Sequence, residues 1–99
     1  MEKLEILGCP CFAVNEAEAA KHLAELVQSQ ELGYTVAINA EKILKHSDES
    51  GFNHIIDNAI FPYPDGSGAV LGLRWLHGQQ SEKVNMPVVA LEVANTLRI

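Results

Sequence analysis

The sequence predicts an α/β fold, a Rossmann-like half-domain with a short, mostly parallel sheet and flanking helices. Three observations predict it. Short β-forming runs alternate with amphipathic stretches, no repeat or low-complexity linker interrupts the alternation, and two of the runs end in polar residues that open a helix.

Leu4-Glu5-Ile6-Leu7 reads as a first strand, closed by Gly8 and Pro10, with a helix to follow. Asn15 with Glu18 three residues on has the form of a capping box. Ala20, Leu23, Ala24 and Val27 then recur at helical spacing until Gly33 can end the segment. Tyr34 to Ile38 is short, apolar and β-forming, as a buried parallel strand is. Asn39 caps a helix that runs to about His46, and Ser47-Asp48-Glu49 restarts the chain. Phe52, Ile55, Ile56 and Ala59 fall at i, i+3, i+4 and i+7 of another helix. Ile60 to Tyr63 forms a third strand, which Pro62 places near an edge.

After Asp65-Gly66, the residues Ala69, Val70, Leu73 and Leu76 mark a helix ended by His77-Gly78, with Trp75 expected in its core. A polar turn runs from Gln79 to Lys83, Val84 begins a brief extended piece, and Pro87 opens a last helix over Val88 to Asn95. Thr96 to Ile99 reads as the start of another strand.

The 99 residues suffice for one domain, 1–99, burying somewhat over roughly 60% of the unfolded chain's surface. With 47% hydrophobic residues the composition is globular, not disordered. The net charge of −6, with seven scattered Lys and Arg, argues against a nucleic-acid partner, because duplex binding needs a basic surface that releases counterions. No apolar run approaches the roughly 20 residues of a membrane span, and Met1-Glu2-Lys3 opens no signal peptide, so a cytoplasmic protein is expected. Cys9 and Cys11 flank Pro10 too closely for a useful crosslink, and His22, His46, His54 and His77 match no zinc spacing. Ordinary thiols in a partly buried turn are the simpler reading, and no metal or cofactor is called for.

The chemistry concentrates at two strand-to-helix junctions, where unpaired helix N–H groups and the helix dipole favour anionic or polar ligand atoms. Asp65 can serve there as a general base toward a substrate hydroxyl, or simply cap the next helix. Gly66 and Gly68 allow close backbone approach to a phosphate, although G-x-G alone does not make a dinucleotide site. Asn39 either orients a ligand or caps its helix. Glu41 sits in a first turn that favours a carboxylate in any case. His46 and His54 read as solvated helix-face residues.

Taken in order, Thr35-Val36-Ala37-Ile38-Asn39-Ala40-Glu41-Lys42, Pro64-Asp65-Gly66 and Glu82-Lys83-Val84, with Gly8-Cys9-Pro10 near the start, resemble the WecG/TagA/CpsF bacterial glycosyltransferases, family 26. The resemblance spans nearly the whole chain but only the amino-terminal part of the family domain. It implies an inverting transferase that moves an N-acetylmannosamine-type sugar from a UDP-sugar donor onto polyprenyl-diphosphate-linked N-acetylglucosamine, at the inner membrane face, for surface polysaccharide. It implies Asp65 as the base, Asn39 in the same pocket, and Lys83 facing the diphosphate charge. It also implies that the 99-residue chain is not competent by itself.

Three positions depart from the family pattern. Ala37 stands where members often have Thr, Lys83 where Arg is common, and Met86-Pro87-Val88 where many read Gly-x-Asp. Two other function classes stay open. One is a non-catalytic module that forms a homodimer through the surface the missing half would cover; the other is a small ligand-binding protein that uses the two junctions alone.

Overall fold

Leu7 and Gly8, with φ of 51° and 87°, turn the chain back on itself after the first strand. The computed structural model describes residues 1–47 and 51–97. It opens with β1 (Glu2–Ile6) and β2 (Cys9–Ala13), an antiparallel pair that aligns Ile6 with Cys9 and Glu2 with Ala13. Two consecutive positive φ values are what a tight hairpin needs, because they match the twist of its strands. The sequence therefore hid a strand: Pro10, taken as a strand breaker, sits inside β2. Cys9 and Cys11 accordingly lie in a strand and not in a turn. Both point to one face of β2 and are fully buried.

Helix α1 (Glu16–Gln28) starts as the capping box predicts. Asn15 Oδ1 accepts from the Glu18 N–H at 2.8 Å, and Glu18 Oε1 accepts from the Asn15 N–H at 3.1 Å. The helix stops at Gln28, ahead of Gly33, and Gln30 reverses the chain with φ of 58°. Gly33 serves packing instead: a Cβ there would stand 2.9 Å from Ile60 Cβ.

β3 (Thr35–Ile38) and β4 (Phe61–Pro64) pair in parallel, aligning Thr35 with Phe61 and Ile38 with Pro64. This pair divides the core. Val36 and Ile38 face a cluster with Ile6, Cys9, Cys11, Ile56 and Leu73, whereas Ala37, Phe61 and Tyr63 face a second cluster with Val14, Ala19, Val89 and Val93. Helices thus cover both faces of a short parallel sheet, an α/β arrangement compatible with a Rossmann-like half-domain.

α2 (Ala40–His46) and α3 (Phe52–Asp57) lie on the first cluster's side, with Ile43 and Ile56 buried. The expected restart at Ser47-Asp48-Glu49 falls largely outside the described residues. Ile55 is exposed, and the Tyr34 hydroxyl donates to its carbonyl at 2.6 Å. His54 is exposed as expected, but His46 is not a solvated residue. Its side chain is only 11% exposed, and Nε2 lies 2.7 Å from Asp57 Oδ1, tying α2 to the end of α3.

α4 (Ser67–His77) buries Ala69 and Leu73, and a Cβ on Gly72 would come within 2.9 Å of Ile6 Cγ2, so this face lies directly on β1. Trp75, expected in the core, is 84% exposed. Two residues along a helix are about 200° apart, so a buried Leu73 sends Trp75 to the opposite side. Leu76 is likewise exposed. α5 (Met86–Leu97) holds Pro87 in its first turn and buries Val89 and Val93. It includes Thr96 and Leu97, so no strand begins there; Arg98 and Ile99 lie outside the described residues.

Candidate functional site

The Asp65 N–H donates to the Ile38 carbonyl at 2.8 Å, which extends the parallel ladder by one bond and sets the two strand-to-helix junctions side by side. Ligands of open α/β sheets bind outside these carboxyl ends. Asn39 caps α2: its Oδ1 accepts from the Lys42 N–H at 3.0 Å. Lys42 Nζ in turn donates to the Ala37 carbonyl at 2.7 Å, so this cation is held against the end of β3.

The second junction differs. Gly66 is the residue before α4, with φ of 108° and ψ of 164°, and no side chain caps the helix. Asp65 is therefore not spent on capping. Its carboxylate is exposed and lines a cavity of about 550 Å³, with Glu16, Tyr63, Lys83, Val84 and Asn85 also in the wall. Among the described residues neither Asp65 nor Lys83 forms an ion pair.

Lys83 reaches the cavity because the segment carrying it is pinned on both sides. The Val14 N–H donates to Ser81 Oγ at 3.0 Å, and the Ser81 hydroxyl donates to the Val14 carbonyl at 2.9 Å. The Glu82 N–H also donates to Val14 O, at 2.8 Å, and the Val84 N–H donates to Pro64 O at 2.9 Å. Carboxylates complete the clamp: Glu82 Oε1 accepts from the Glu16 N–H at 3.0 Å, and Glu16 Oε1 from the Asn85 N–H at 3.3 Å. A second cavity of about 690 Å³ shares Glu16 and Lys83 with the first and adds Ser67, Val70 and Leu71 of α4. Lys83 lines both cavities, and Ser67, the first residue of α4, lines the second beside it.

Glu41 lies on the exposed face of α2, 2.8 Å from Lys45 Nζ, and the hydrogen bond and charge of Lys45 lower its pKa. Gly66 adopts a backbone conformation that L-residues rarely take, and open space lies where its Cβ would be. A Cβ on Gly68 would meet Ala40 Cβ at 2.9 Å, so this glycine lets α4 approach α2. Among the described residues no three His, Cys, Asp or Glu side chains gather as metal ligands.

Reading the sequence missed Tyr63, Glu16 and Asn85. Glu16 and Asn85 carried no local signal, since they meet across the length of the chain. Tyr63 did carry one: the two-residue strand period puts it on the same side as Asp65. It is 9% exposed, and its phenol is held above the ordinary range by burial first and by the charge of Asp65 second.

A carboxylate and a cation lining one cavity at a sheet's carboxyl end suit proton removal from a hydroxyl beside a phosphate-bearing ligand. The family described as Glycosyl transferase WecG/TagA/CpsF matches residues 4–98. The chain belongs to that family. Members of the WecG/TagA/CpsF family act on a sugar donor and an acceptor. Among the described residues no helix is long and apolar enough to cross a membrane.

Proposed function

We propose that this chain carries the acceptor-activating site of a hexosyltransferase that uses a UDP-N-acetylhexosamine of the mannosamine type and a lipid-diphosphate-linked N-acetylglucosamine. Asp65 takes the proton from the acceptor hydroxyl as its oxygen attacks the anomeric carbon. The bond from that carbon to the donor phosphate breaks, and UDP leaves with the electron pair. Lys83 and the first turn of α4 stabilise the charge that gathers on the diphosphate. Asn39 fixes the neighbouring junction, and Gly66 leaves its backbone open to the ligand. The reaction belongs on the cytoplasmic side.

The observation that carries this reading is that Asp65, free of any capping duty, lines one cavity with Lys83. A single displacement assisted by a base inverts the anomeric centre. The test supplies the complete gene product with UDP-N-acetylmannosamine and a short-chain polyprenyl-diphosphate N-acetylglucosamine, and follows the product's anomeric configuration by NMR. Inversion is expected, and retention would rule out the direct displacement.

One observation favours a second reading, self-association. Leu71 and Trp75, four residues apart and so on one face of α4, are both exposed, an apolar pair of the kind that can mark an interface. Sedimentation of wild type and Trp75→Glu tests it: a dimer that the substitution dissociates supports this reading, and a monomer in both rejects it.

A further inference from the structure

Tyr63 is the one large aromatic residue among those lining the Asp65 cavity. The side chain is nine-tenths buried, and its ring packs 5.9 Å from that of Phe61 in the cluster under α1 and α5. Among the described residues no hydrogen bond engages the hydroxyl, yet the oxygen is not sealed from solvent as His22 Nε2 is. Tyr63 is 9% exposed and is one of the residues lining the Asp65 cavity. A buried tyrosine usually finds a partner within the protein for its O–H. The fold instead keeps the ring fixed and the hydroxyl free, two residues from Asp65 on the same side of β4.

Because burial and the Asp65 charge raise its pKa, the phenol keeps its proton through neutral pH and acts as a donor. It makes no bond to the Asp65 carboxylate, so that carboxylate stays available as an acceptor for a ligand's proton. A pyranose presents oxygen substituents on adjacent carbons, spaced to meet two neighbouring polar groups at once.

We infer that Tyr63 is an acceptor-binding residue: its hydroxyl donates to the oxygen substituent adjacent to the sugar hydroxyl that Asp65 deprotonates. This rests on the glycosyl-transfer reading above. Tyr63 thereby selects acceptors that carry an oxygen beside the reacting position and orients the nucleophile without taking part in proton transfer. The same site without the phenol still holds the base and the cation but loses its grip on the neighbouring carbon's substituent.

Tyr63→Phe tests this, because it keeps the buried ring and removes one atom. The complete gene product, as wild type, Tyr63→Phe and Asp65→Asn, is assayed with UDP-N-acetylmannosamine and the short-chain polyprenyl-diphosphate N-acetylglucosamine. A second acceptor lacks the oxygen substituent next to the reacting hydroxyl. With the intact acceptor, Tyr63→Phe is expected to raise the acceptor KM roughly tenfold with kcat little changed. With the deoxy acceptor, wild type should lose the same factor and Tyr63→Phe nothing more. Equal KM values for wild type and Tyr63→Phe, beside an inactive Asp65→Asn, overturn the inference alone. An equal further loss in Tyr63→Phe on the deoxy acceptor also overturns it, by showing that the two groups do not meet. An active Asp65→Asn overturns the base assignment independently, and a wild type that transfers to neither acceptor overturns both. Unfolding curves of Tyr63→Phe and wild type should coincide, since among the described residues the hydroxyl has no partner.

Discussion

The Val84 N–H donates to the Pro64 carbonyl at 2.9 Å, so the segment after α4 runs along the end of β4 and delivers the preceding residue, Lys83, to the cavity of Asp65. A cation and a carboxylate 18 positions apart in sequence thus share a wall through one backbone bond and its neighbours.

Ser81 is the side-chain anchor of that segment, since it both donates to and accepts from the backbone of Val14, a residue that is 1% exposed. Ser81→Ala leaves a buried N–H without its partner and should cost about 1–3 kcal/mol in denaturant unfolding. Because the segment also positions Lys83, kcat/KM should fall with it. Unchanged stability would show that the backbone bonds of Glu82 and Val84 hold the segment by themselves.

Gly66→Ala and Gly68→Ala should both destabilise, for different reasons. At Gly66 the φ of 108° itself is unfavourable to alanine and the cost is about 1–3 kcal/mol, with no clash to relieve. At Gly68 the new Cβ meets Ala40 Cβ at 2.9 Å, an overpacking cost of about 1–3 kcal/mol offset in part by better helix propensity. Ala40→Gly should therefore rescue Gly68→Ala and leave Gly66→Ala unimproved, as read from thermal midpoints.

Much of the fold was legible from Thr35 to His77, because there local signals agree with tertiary needs. Asn39 and Gly78 do at the helix ends what their positions predict, and Val36 to Ile38 is apolar because both faces of β3 pack against core there, whereas Tyr34, read as part of that buried strand, lies before it and is exposed. The hairpin was not legible. Leu7 takes a positive φ that a leucine rarely adopts, and Pro10 is tolerated because β2 has a partner on one side only within its sheet. Trp75 was misplaced because apolar neighbours on a helix need not share its face. In the site, the two junctions could be read from the sequence, whereas the clamp of Ser81, Glu82 and Glu16 depends on contacts between distant segments and leaves no local pattern.

The thiols predict a fall in stability at alkaline pH. Burial, then the charge of Asp57, raises the Cys9 pKa from 9.0 to about 11. Burial, then Cys9, raises that of Cys11 from 9.0 to about 12. The folded state holds these protons more tightly than the unfolded chain, so the stabilisation is complete below pH 9.0 and is lost as pH climbs through about 11 and 12. Tyr63, raised by burial, adds a loss of the same sign. Urea midpoints should decline across this window, and the native thiols should alkylate slowly near neutral pH; a flat midpoint, or rapid alkylation without unfolding, would contradict the buried placement.

Lys83→Ala should lower kcat/KM roughly 100-fold or more, since it removes the cation that meets the diphosphate as charge develops. Lys83→Arg should retain most activity or exceed wild type, because a planar guanidinium can hold a diphosphate at two points. A Lys83→Ala enzyme as active as wild type would place the anion elsewhere.

Asp65→Asn tests the role of Asp65 as base most directly, because the side chain caps no helix and forms no ion pair among the described residues. Single-turnover transfer by the complete gene product should fall to background in Asp65→Asn, while its unfolding curve and its binding of the acceptor match wild type. Transfer at a rate near that of wild type would show that another group takes the proton and would end the assignment.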